Sequence, residues 1–352
     1  MIIEISKSLI KNRKNESDFN LFLENILLAY KEGKHVLLLS QRDTSILFND
    51  ENTPNSIKEI LKKYSANSQG INRKSLEKYI NNIVSIIPNN ENEEFLEYEN
   101  PKIRKLQIKG FLDSSNIQKT IFLGENDDDI EAYCLMAEFY MKEKKIYNNY
   151  FKLQYDNRLG GGSTTIKVFK KIYINRESFC LAILDKDKKS PNYSIKDTTA
   201  RSFENSVKKL RKVESNYKCD YIILKYLEIE NYFPKKFYEK KNSNIYEEWL
   251  YLENSYRRKY FDFKEGIQKK YPKKGKQLNS KDTSYNEDWT SITNNENFKI
   301  NGFGSKILSE FIKLDYEKIS KMVKNDKEIE EEWLKLGKTI TSFLLGTEKR
   351  LF

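Results

Sequence analysis

The sequence has little of the residue types on which many enzyme sites depend. Its 352 residues include a single histidine, His35, so two-histidine metalloprotease sites are excluded, and we expect no catalytic triad built on histidine. The three cysteines, Cys134, Cys180 and Cys219, are isolated inside apolar stretches and form no CxxC pair. This pattern argues against a zinc site and predicts small buried residues in a reducing compartment. Any catalysis must therefore depend on carboxylates or lysines.

Long apolar runs are also absent. Stretches such as Val36–Leu39 and Ile222–Leu224 fall far short of the roughly 18 to 20 residues that a membrane span needs. The first residues, MIIEISKSLIKNRKNE, lack the apolar core and the small-residue cleavage site of a signal peptide. We therefore expect a cytoplasmic protein that is not attached to a membrane.

What the sequence does contain is an excess of positive charge. Lys and Arg number 63 against 52 Asp and Glu, and the formal net charge of +11 favours a polyanionic partner, with nucleic acid as the leading candidate. Hydrophobic residues make up 38% of the chain and aromatic residues 13%, which is too apolar for intrinsic disorder. We expect a globular protein with a heavily charged surface.

The chain divides into three regions by pattern. Residues 1–115 are expected to form an α+β accessory region, with a helix near 18–31 and two strands joined by a polar turn at 35–48. This region shows no recognisable chemistry. Residues 116–238 are expected to form an α/β core, and residues 239–352 a basic, mainly helical region.

Strand and helix patterns alternate regularly through the core. The predicted elements, in chain order, are a strand at 119–124, a helix at 129–145, a strand at 150–155, a helix at 163–171, a strand at 179–184, a helix at 200–213 and a strand at 219–224. This alternation predicts βαβ units and a largely parallel sheet flanked by helices.

Acidic residues follow three of these strands. Glu125 follows the first, Asp185 and Asp187 the third, and Glu228 and Glu230 the fourth. The carboxyl ends of parallel strands share one edge, so these side chains should meet in one crevice, and in an extended DxD segment both acids face the same way. Clustered carboxylates repel one another unless a cation neutralises them, and oxygen ligands suit Mg²⁺ or Mn²⁺. The pattern predicts a site for one of these metals, holding two ions.

These residues carry a resemblance to a known domain. Over residues 118–235 the sequence resembles the Toprim domain of OLD-family (overcoming lysogenization defect) nucleases and of related PARIS-type phage-defence effectors. The shared features are a strand ending in a glutamate, an acid four residues later, a glycine-rich turn after the second strand, the DxD and the EIENYF segment at 228–233. The resemblance implies an α/β fold that uses Mg²⁺ to cut or join phosphodiester bonds.

The resemblance also implies roles for individual residues. Six acids would be metal ligands: Glu125, Asp129, Asp185, Asp187, Glu228 and Glu230. Glu125, Asp185 and Asp187 would also be catalytic, with Glu125 as a ligand or general base. The OLD type uses a further lysine in catalysis, for which Lys306 in NGFGSKILSEF is the candidate.

The sequence departs from the family pattern at two positions. Asn126 replaces the usual glycine after the first glutamate and is expected to alter the aim of Glu125, and the arginine usual before EIENY is missing, with Lys225 nearby. Some alternatives also stay open. Gly160–Gly162 is either a phosphate cradle or a tight strand-to-helix turn, and the absence of a P-loop lysine favours the turn. Glu228 is either a ligand or a surface acid.

Beyond Pro234 the chain becomes basic and aromatic. The segment SYRRKYFDFKEGIQKKYPKKGKQ mixes Lys and Arg, Lys264 among them, with Tyr and Phe, so cations could neutralise phosphates while exposed rings stack on unpaired bases. The alternative is a solvated basic face over buried aromatic residues. Nucleic-acid contacts are predicted for six residues: Arg257, Arg258, Lys269, Lys270, Lys273 and Lys274.

Together these patterns predict a metal-dependent endonuclease that acts on DNA or RNA, and the resemblance implies an effector of antiviral defence. The alternatives are a Toprim primase-like nucleotidyl transferase and a non-catalytic nucleic-acid-binding subunit. Because the sequence contains no P-loop, the resemblance also implies an ABC-type ATPase as a partner. A homodimer is a further expectation.

Overall fold

A parallel sheet organises the N-terminal part of the chain. The structure, a computed structural model, describes residues 1–67, 73–146, 150–176, 178–194, 198–252, 258–272 and 277–348. The helices and strands of the first part are β1 (Ile2–Ile5), α1 (Lys7–Asn12), α2 (Phe19–Lys31), β2 (Val36–Leu38), α3 (Gln41–Phe48), α4 (Asn55–Asn67), α5 (Arg73–Glu77), β3 (Asn82–Ile87), β4 (Glu94–Leu96) and β5 (Lys102–Gln107).

The first sheet has the strand order β2-β1-β3-β5-β4. The pairs β1–β2, β1–β3 and β3–β5 are parallel, and only β4 runs antiparallel to its neighbour β5. Parallel neighbours need crossover connections: helices lie between β1, β2 and β3 along the chain, whereas the connection from β3 to β5 contains β4. This pairing corrects the expectation of an α+β region, because the N-terminal sheet is mainly parallel.

One predicted strand of this region is a helix. Residues 35–48 contain β2 as expected, but α3 occupies the place of the second strand. Ser40 is the N-cap of α3, and its Oγ accepts a hydrogen bond from the backbone N of Asp43 (3.0 Å). The polar SQRD segment is therefore a helix start, because a serine followed by an acid at the third helical position satisfies free backbone N–H groups.

A second parallel sheet carries the acidic residues. Its strands and helices are β6 (Thr120–Gly124), α6 (Asp127–Glu143), β7 (Phe151–Leu153), β8 (Tyr155–Leu159), α7 (Thr165–Ile174), β9 (Cys180–Leu184), α8 (Thr199–Val213) and β10 (Cys219–Ile223). The order is β10-β9-β6-β8, and every neighbouring pair is parallel. Every residue of β6 and β9 is buried, which explains their continuous apolar sequences. The predicted parallel sheet with flanking helices is confirmed.

The second strand of this sheet differs from the prediction. The predicted strand at 150–155 is replaced by β7, which pairs antiparallel with β13 (Leu345–Thr347), and by β8, which pairs with β6. The strand β8 has the sequence YDNRL and partly exposed side chains. The sequence of such an edge strand predicts a loop, because its polar residues face water and give no apolar pattern. The helix predicted from Ser163 begins at Thr165.

The C-terminal part is mainly helical, as predicted. Its elements are α9 (Lys235–Lys241), α10 (Ser243–Leu250), β11 (Gly266–Gln268), α11 (Ser280–Thr293), β12 (Lys299–Asn301), α12 (Ile307–Ile312), α13 (Tyr316–Lys324) and α14 (Lys327–Leu344). The strands β11 and β12 form an antiparallel pair. Six apolar residues of α14 are buried, namely Ile329, Trp333, Leu336, Ile340, Phe343 and Leu344.

Helix α14 packs closely against α6. A side chain at Gly337 would collide with the carbonyl oxygen of Met136 and would lie 2.6 Å from Cβ of Tyr140. The contact therefore requires glycine. The chain start is tied to the same end of the molecule, since the ammonium group of Met1 donates to the carbonyl of Leu345 (2.7 Å). The C-terminal end of α14 therefore lies beside the start of the chain, and its middle packs against α6, the helix that begins just after Glu125.

The structure also bears on the cysteines and on membrane-spanning helices. The three cysteines are buried and free, as predicted. Within the described ranges, no helix combines the length and the apolar character that crossing a membrane requires.

Candidate metal and catalytic site

The predicted acids gather at the carboxyl edge of the second sheet. Glu125 directly follows β6, Asp185 directly follows β9, and Glu230 lies in a 3₁₀ turn, Ile229–Tyr232, beyond β10. Pairwise electrostatic interactions link all six acids into one network, in which Asp187 interacts with Glu125. We call them the acid cluster: Glu125, Asp129, Asp185, Asp187, Glu228 and Glu230. The predicted convergence is therefore a feature of the fold.

Glu125 is positioned by the glycine-rich turn. The N–H of Gly160 donates to the carbonyl of Gly124 (2.8 Å), and the N–H of Gly161 donates to the carbonyl of Glu125 (3.0 Å). A side chain at Gly160 would overlap Thr165, and Gly161 and Gly162 have φ of 65° and 61°, which favour glycine. The segment is a tight strand-to-helix turn that holds the backbone on both sides of the Glu125 carboxylate.

Burial and neighbouring charge act on Glu125 in the same direction. The pKa of Glu125 is raised by burial and by the charge of Asp187, and Lys264 opposes this rise. A Cβ at Gly162 would lie 4.0 Å from Glu125 Oε2, so the main chain of the turn borders this oxygen. Glu125 is half-buried rather than sealed in the core. It is therefore accessible and holds a proton more readily than an ordinary glutamate.

Asp129 has both a structural and an electrostatic role. Asn126 is the N-cap of α6: its Oδ1 accepts from the N–H of Asp129 (3.0 Å), and Asp129 Oδ2 accepts from the N–H of Asn126 (3.3 Å). The backbone of Asn126 is extended, with φ of −144°, so this position does not require glycine. Burial, then Glu230 and Glu125, raises the pKa of Asp129 to about 7. Asp127 and Asp128 lie in the same first turn of α6, where acids are favoured by the helix dipole.

Asp185 is at the centre of the cluster. Its Oδ1 is buried and has no hydrogen-bond partner among the described residues. The pKa of Asp185 lies well above its ordinary range because of burial, with further contributions from Asp129, Glu228 and Glu230. An oxygen in this situation calls for a proton or a cation.

Asp187 does not lie on extended chain. Its φ is 57°, in the left-handed region, and the N–H groups of Lys186 and Asp187 both donate to the carbonyl of Leu227 (3.0 and 3.2 Å). The argument that alternate residues of an extended DxD face the same way is therefore wrong for this segment. The charge of Asp187 acts instead on Glu125, and burial raises the pKa of Asp187 itself.

Lys264 enters the cluster from the C-terminal region. Its Nζ lies 3.0 Å from Glu228 Oε2 and 3.3 Å from Glu230 Oε1. Burial alone would lower the pKa of Lys264, but the charges of Glu230 and Glu228 outweigh it and raise the pKa above its ordinary value. Lys264 is therefore a fixed positive charge among the acids.

In the sequence, Lys264 is one of several cations in the basic, aromatic segment, and no local sequence pattern distinguishes it from its neighbours. Two hydrogen bonds hold the backbone of Lys264. Its N–H donates to Asp262 Oδ1 (3.1 Å), and its carbonyl accepts from the N–H of Gly304 (3.1 Å). The predicted Lys306 is exposed at the start of α12, and the described part of the chain shows no ion pair between it and the cluster. Within the described residues, Lys264 forms ion pairs with the acid cluster, and the predicted catalytic role of Lys306 stays a prediction.

Glu228 and Glu230 differ in their surroundings. Glu230 is 1% exposed, and its Oε2 has no hydrogen bond in the described structure. Glu228 is partly accessible, and its pKa is raised to about 7, chiefly by burial, with Lys264 lowering and Glu230 raising it. Glu228 is therefore a member of the cluster and not a surface acid.

The predicted nucleic-acid residues divide into three groups. Arg257, Lys273 and Lys274 lie outside the described residues. Arg258 is completely buried, donates to the carbonyl of Phe233 (2.8 Å) and forms an ion pair with Asp326 (2.5 Å). The prediction for Arg258 is wrong, because its guanidinium group is used inside the fold.

Lys269 and Lys270 remain half-buried at the surface. The ammonium groups stand near the rings of Tyr271 and Tyr285, at 6.0 and 5.6 Å from the ring centres. Two aromatic residues of the segment, Phe261 and Phe263, are fully buried, as the alternative of a basic face over buried rings expects.

The donor set fits a hard divalent cation. Across the described residues, no three histidine, cysteine, aspartate or glutamate side chains stand in the geometry of a metal-binding group. The buried oxygens without hydrogen bonds, Asp185 Oδ1 and Glu230 Oε2, nevertheless belong to carboxylates that interact electrostatically, and oxygen ligands suit Mg²⁺ or Mn²⁺. Asp185 and Glu230 would hold such a cation, whose charge would offset the repulsion between their carboxylates.

Comparison of the chain with protein-family models, with curated proteins and with solved structures found no match.

Proposed function

We propose that the protein is a metal-dependent nuclease that hydrolyses phosphodiester bonds of DNA or RNA through a Toprim-like site. The observation that carries the proposal is the acid cluster itself, since residues that follow β6, β9 and β10 meet at one sheet edge with Lys264 among them. Open α/β sheets bind ligands at this edge. The net charge of +11 suits a polyanionic substrate.

The acids would hold Mg²⁺ or Mn²⁺. Asp185, Glu230 and Asp129 are the most deeply placed and would be the principal ligands, with Glu125, Asp187 and Glu228 around them. A bound ion of this type supplies Lewis acidity and lowers the pKa of a water molecule at neutral pH.

The side chains have separate tasks in this proposal. Glu125 Oε2 accepts a proton from the attacking water, because its raised pKa brings a general base closer to the working pH. Lys264 Nζ stabilises negative charge that develops on the phosphate oxygens. The turn Gly160–Gly162 fixes the direction of Glu125 and leaves space for a substrate beside it, since glycine has no side chain.

The resemblance extends the proposal to a cellular role. An effector of antiviral defence that works in the cytoplasm with an ABC-type ATPase is consistent with the absence of a P-loop in the sequence. The site residues support the nuclease chemistry, and this wider role rests on the resemblance alone.

The test uses the full chain with single- and double-stranded DNA, RNA and tRNA, each with Mg²⁺, Mn²⁺, Zn²⁺ or EDTA. We expect cleavage with Mg²⁺ or Mn²⁺ and none in EDTA. Glu125→Gln and Asp185→Asn should each lose at least about 10²-fold in rate while remaining folded. Asp127→Asn is the matched control, because Asp127 is exposed in the first turn of α6 and accepts a bond from Asn157 (2.6 Å).

Three outcomes would count against the proposal. Cleavage that persists in EDTA with metal-free protein would remove the role of the metal. Wild-type rates for both Glu125→Gln and Asp185→Asn would remove the role of the acid cluster. Strand extension with nucleotides and a template, without cutting, would favour the nucleotidyl transferase.

A further inference from the structure

A groove rich in lysine lies between α9, α13 and the start of α14. Its volume is about 860 Å³. Six lysines line it: Lys235, Lys236, Lys240, Lys318, Lys321 and Lys327. None of them belongs to the basic segment that the sequence singled out.

The acids in the groove are partly neutralised by cations. Asp326 and Glu328 lie 2.5 and 3.8 Å from the buried guanidinium group of Arg258, and the hydroxyl of Tyr226 also donates to Glu328 (2.9 Å). Glu239 is paired with Lys236 (2.8 Å). One guanidinium group balances only one of the two carboxylates beside it, so the acids of the groove leave one negative charge against its unpaired lysines.

The ammonium groups of four lysines in the groove have no acidic partner among the described residues. Lys318 is paired with Asp315 (2.6 Å), whereas Lys235, Lys240, Lys321 and Lys327 have no ion pair with any described residue. Like charges at close range are costly unless an anion neutralises them. A concave surface with four unpaired lysines and an excess of positive charge suits several phosphates at once, because each lysine offers a compact charge with three donors.

The groove is separated from the acid cluster by one helix. On the inner face of α9, the hydroxyl of Tyr238 donates to the carbonyl of Glu230 (2.5 Å). The lysines Lys236 and Lys240 lie on the opposite, outer face of the same helix. A helix with its side chains is about 10–12 Å wide, and this width separates the two faces of α9.

We propose that this groove binds the sugar–phosphate backbone of the nucleic acid that reaches the acid cluster. The claim that the bound strand reaches the acid cluster rests on the proposed function, whereas the claim that the groove binds nucleic acid does not. The ring of Tyr238 is fully buried and that of Tyr246 partly so, which leaves charge as the means of recognition. Binding should therefore be independent of base sequence and strongly dependent on salt.

The experiment measures binding of a labelled mixed-sequence DNA 20-mer, single-stranded, to the full chain by fluorescence anisotropy, in EDTA and over a KCl series. The test variant is Lys235→Gln, Lys240→Gln, Lys321→Gln and Lys327→Gln together. The control variant carries Lys11→Gln, Lys14→Gln, Lys62→Gln and Lys74→Gln, four exposed positions with the same change in net charge. Circular dichroism and thermal unfolding check that each variant is folded.

The groove variant should bind more weakly by at least about tenfold, and the slope of log K against log salt should flatten by about 2 to 3, since each single-strand contact contributes about 0.7. The control should keep the wild-type slope. If the groove variant is unstable because Lys235 is half-buried, the triple variant without that change should flatten the slope by about 2.

An unchanged affinity and slope in the folded groove variant would overturn the proposal. Equal losses in groove and control variants would also overturn it, because net charge alone would then explain binding. Wild-type binding of tripolyphosphate or ATP without binding of the 20-mer would make the groove a small-anion site instead. If Asp185→Asn loses cleavage but keeps binding, the groove binds nucleic acid independently of the acid cluster. If the wild-type protein binds the 20-mer but cleaves no nucleic acid, only the nuclease proposal is contradicted.

Discussion

The Nζ atom of Lys264 lies 3.0 Å from Oε2 of Glu228, and this ion pair joins the C-terminal region to the carboxyl edge of the second sheet. The pair compensates only part of the cluster, because Asp185, Asp129 and Glu125 lie around it with raised pKa values. One fixed cation among six acids leaves room for further positive charge. This relationship makes Lys264, rather than Lys306, the lysine whose loss should matter most.

We predict that Lys264→Met lowers the cleavage rate by about 10² to 10³-fold, the loss typical when one group that stabilises transition-state charge is removed. Lys264→Arg should restore part of the rate, since it keeps the charge. Lys306→Met should cleave at the wild-type rate. Rates under saturating substrate check this. A large loss in Lys306→Met with little change in Lys264→Met would reverse the assignment.

The second prediction concerns pH and stability without metal. The pKa values of Asp129 and Glu228 are raised to about 7 from ordinary values of 3.8 and 4.5, so the folded chain binds more protons than the unfolded chain between these limits. Their stabilising contribution is complete below pH 4 and is lost as the pH rises through 7. In EDTA, the melting temperature should therefore fall by a few degrees, about 2 to 5 °C, from pH 6 to pH 8.

Two additions sharpen this measurement. Glu228→Gln should reduce the fall, whereas Glu131→Gln, on the exposed face of α6, should leave it unchanged. Mg²⁺ should stabilise the protein more at pH 8 than at pH 6, because protons and metal compete for the same oxygens. A melting temperature that is flat from pH 6 to pH 8 in EDTA would contradict the raised pKa values.

The acid cluster could be predicted because its strands carry a strong local signal. The strands β6 and β9 are continuous apolar runs buried on both faces, and their carboxyl ends point the same way in any parallel sheet. The strand β8 was missed because an edge strand with the sequence YDNRL has no such signal. The left-handed backbone of Asp187 was missed because the two bonds to the Leu227 carbonyl that accompany it come from another loop.

Residues whose role depends on distant partners could not be predicted. Arg258 looked like a surface cation because its partner Asp326 is far along the chain, and only packing reveals the buried pair. Lys264 likewise belongs to a basic segment by sequence and to the acid cluster by position. Local pattern fixes the type of an element, but tertiary contacts decide which charges are free.

The third prediction tests the contact between α6 and α14. Alanine in place of Gly337 would favour the helix by about 1 kcal/mol, but its Cβ would meet the Met136 carbonyl and the Tyr140 side chain. Overpacking of this kind costs about 1 to 3 kcal/mol and occasionally more, so we expect Gly337→Ala to lower the free energy of unfolding. Lys335→Ala, at an exposed position of the same helix, should change it by less than about 0.5 kcal/mol. Denaturant unfolding monitors both variants, and a stabilised Gly337→Ala protein would show that the two helices separate freely.

The last prediction links the glycine-rich turn to the chemistry of Glu125. Alanine at Gly160 would overlap the Thr165 side chain and lie 2.6 Å from its Cα, so the turn would have to move. Because the N–H groups of Gly160 and Gly161 bond the carbonyls of Gly124 and Glu125, this movement would displace the Glu125 carboxylate. A displacement near 1 Å can cost about 10²-fold in rate, and we expect a loss of this order in kcat.

The separation of kcat from KM decides what the turn does. If it only aims Glu125, Gly160→Ala should lower kcat and leave KM for the nucleic acid close to its wild-type value. If its amides hold the substrate phosphate, KM should rise as well, since binding would be lost in the ground state. Gly110→Ala is the control, because a side chain there would meet nothing within 4 Å. Wild-type kcat and KM in a folded Gly160→Ala protein would mean that the aim of Glu125 does not depend on this turn.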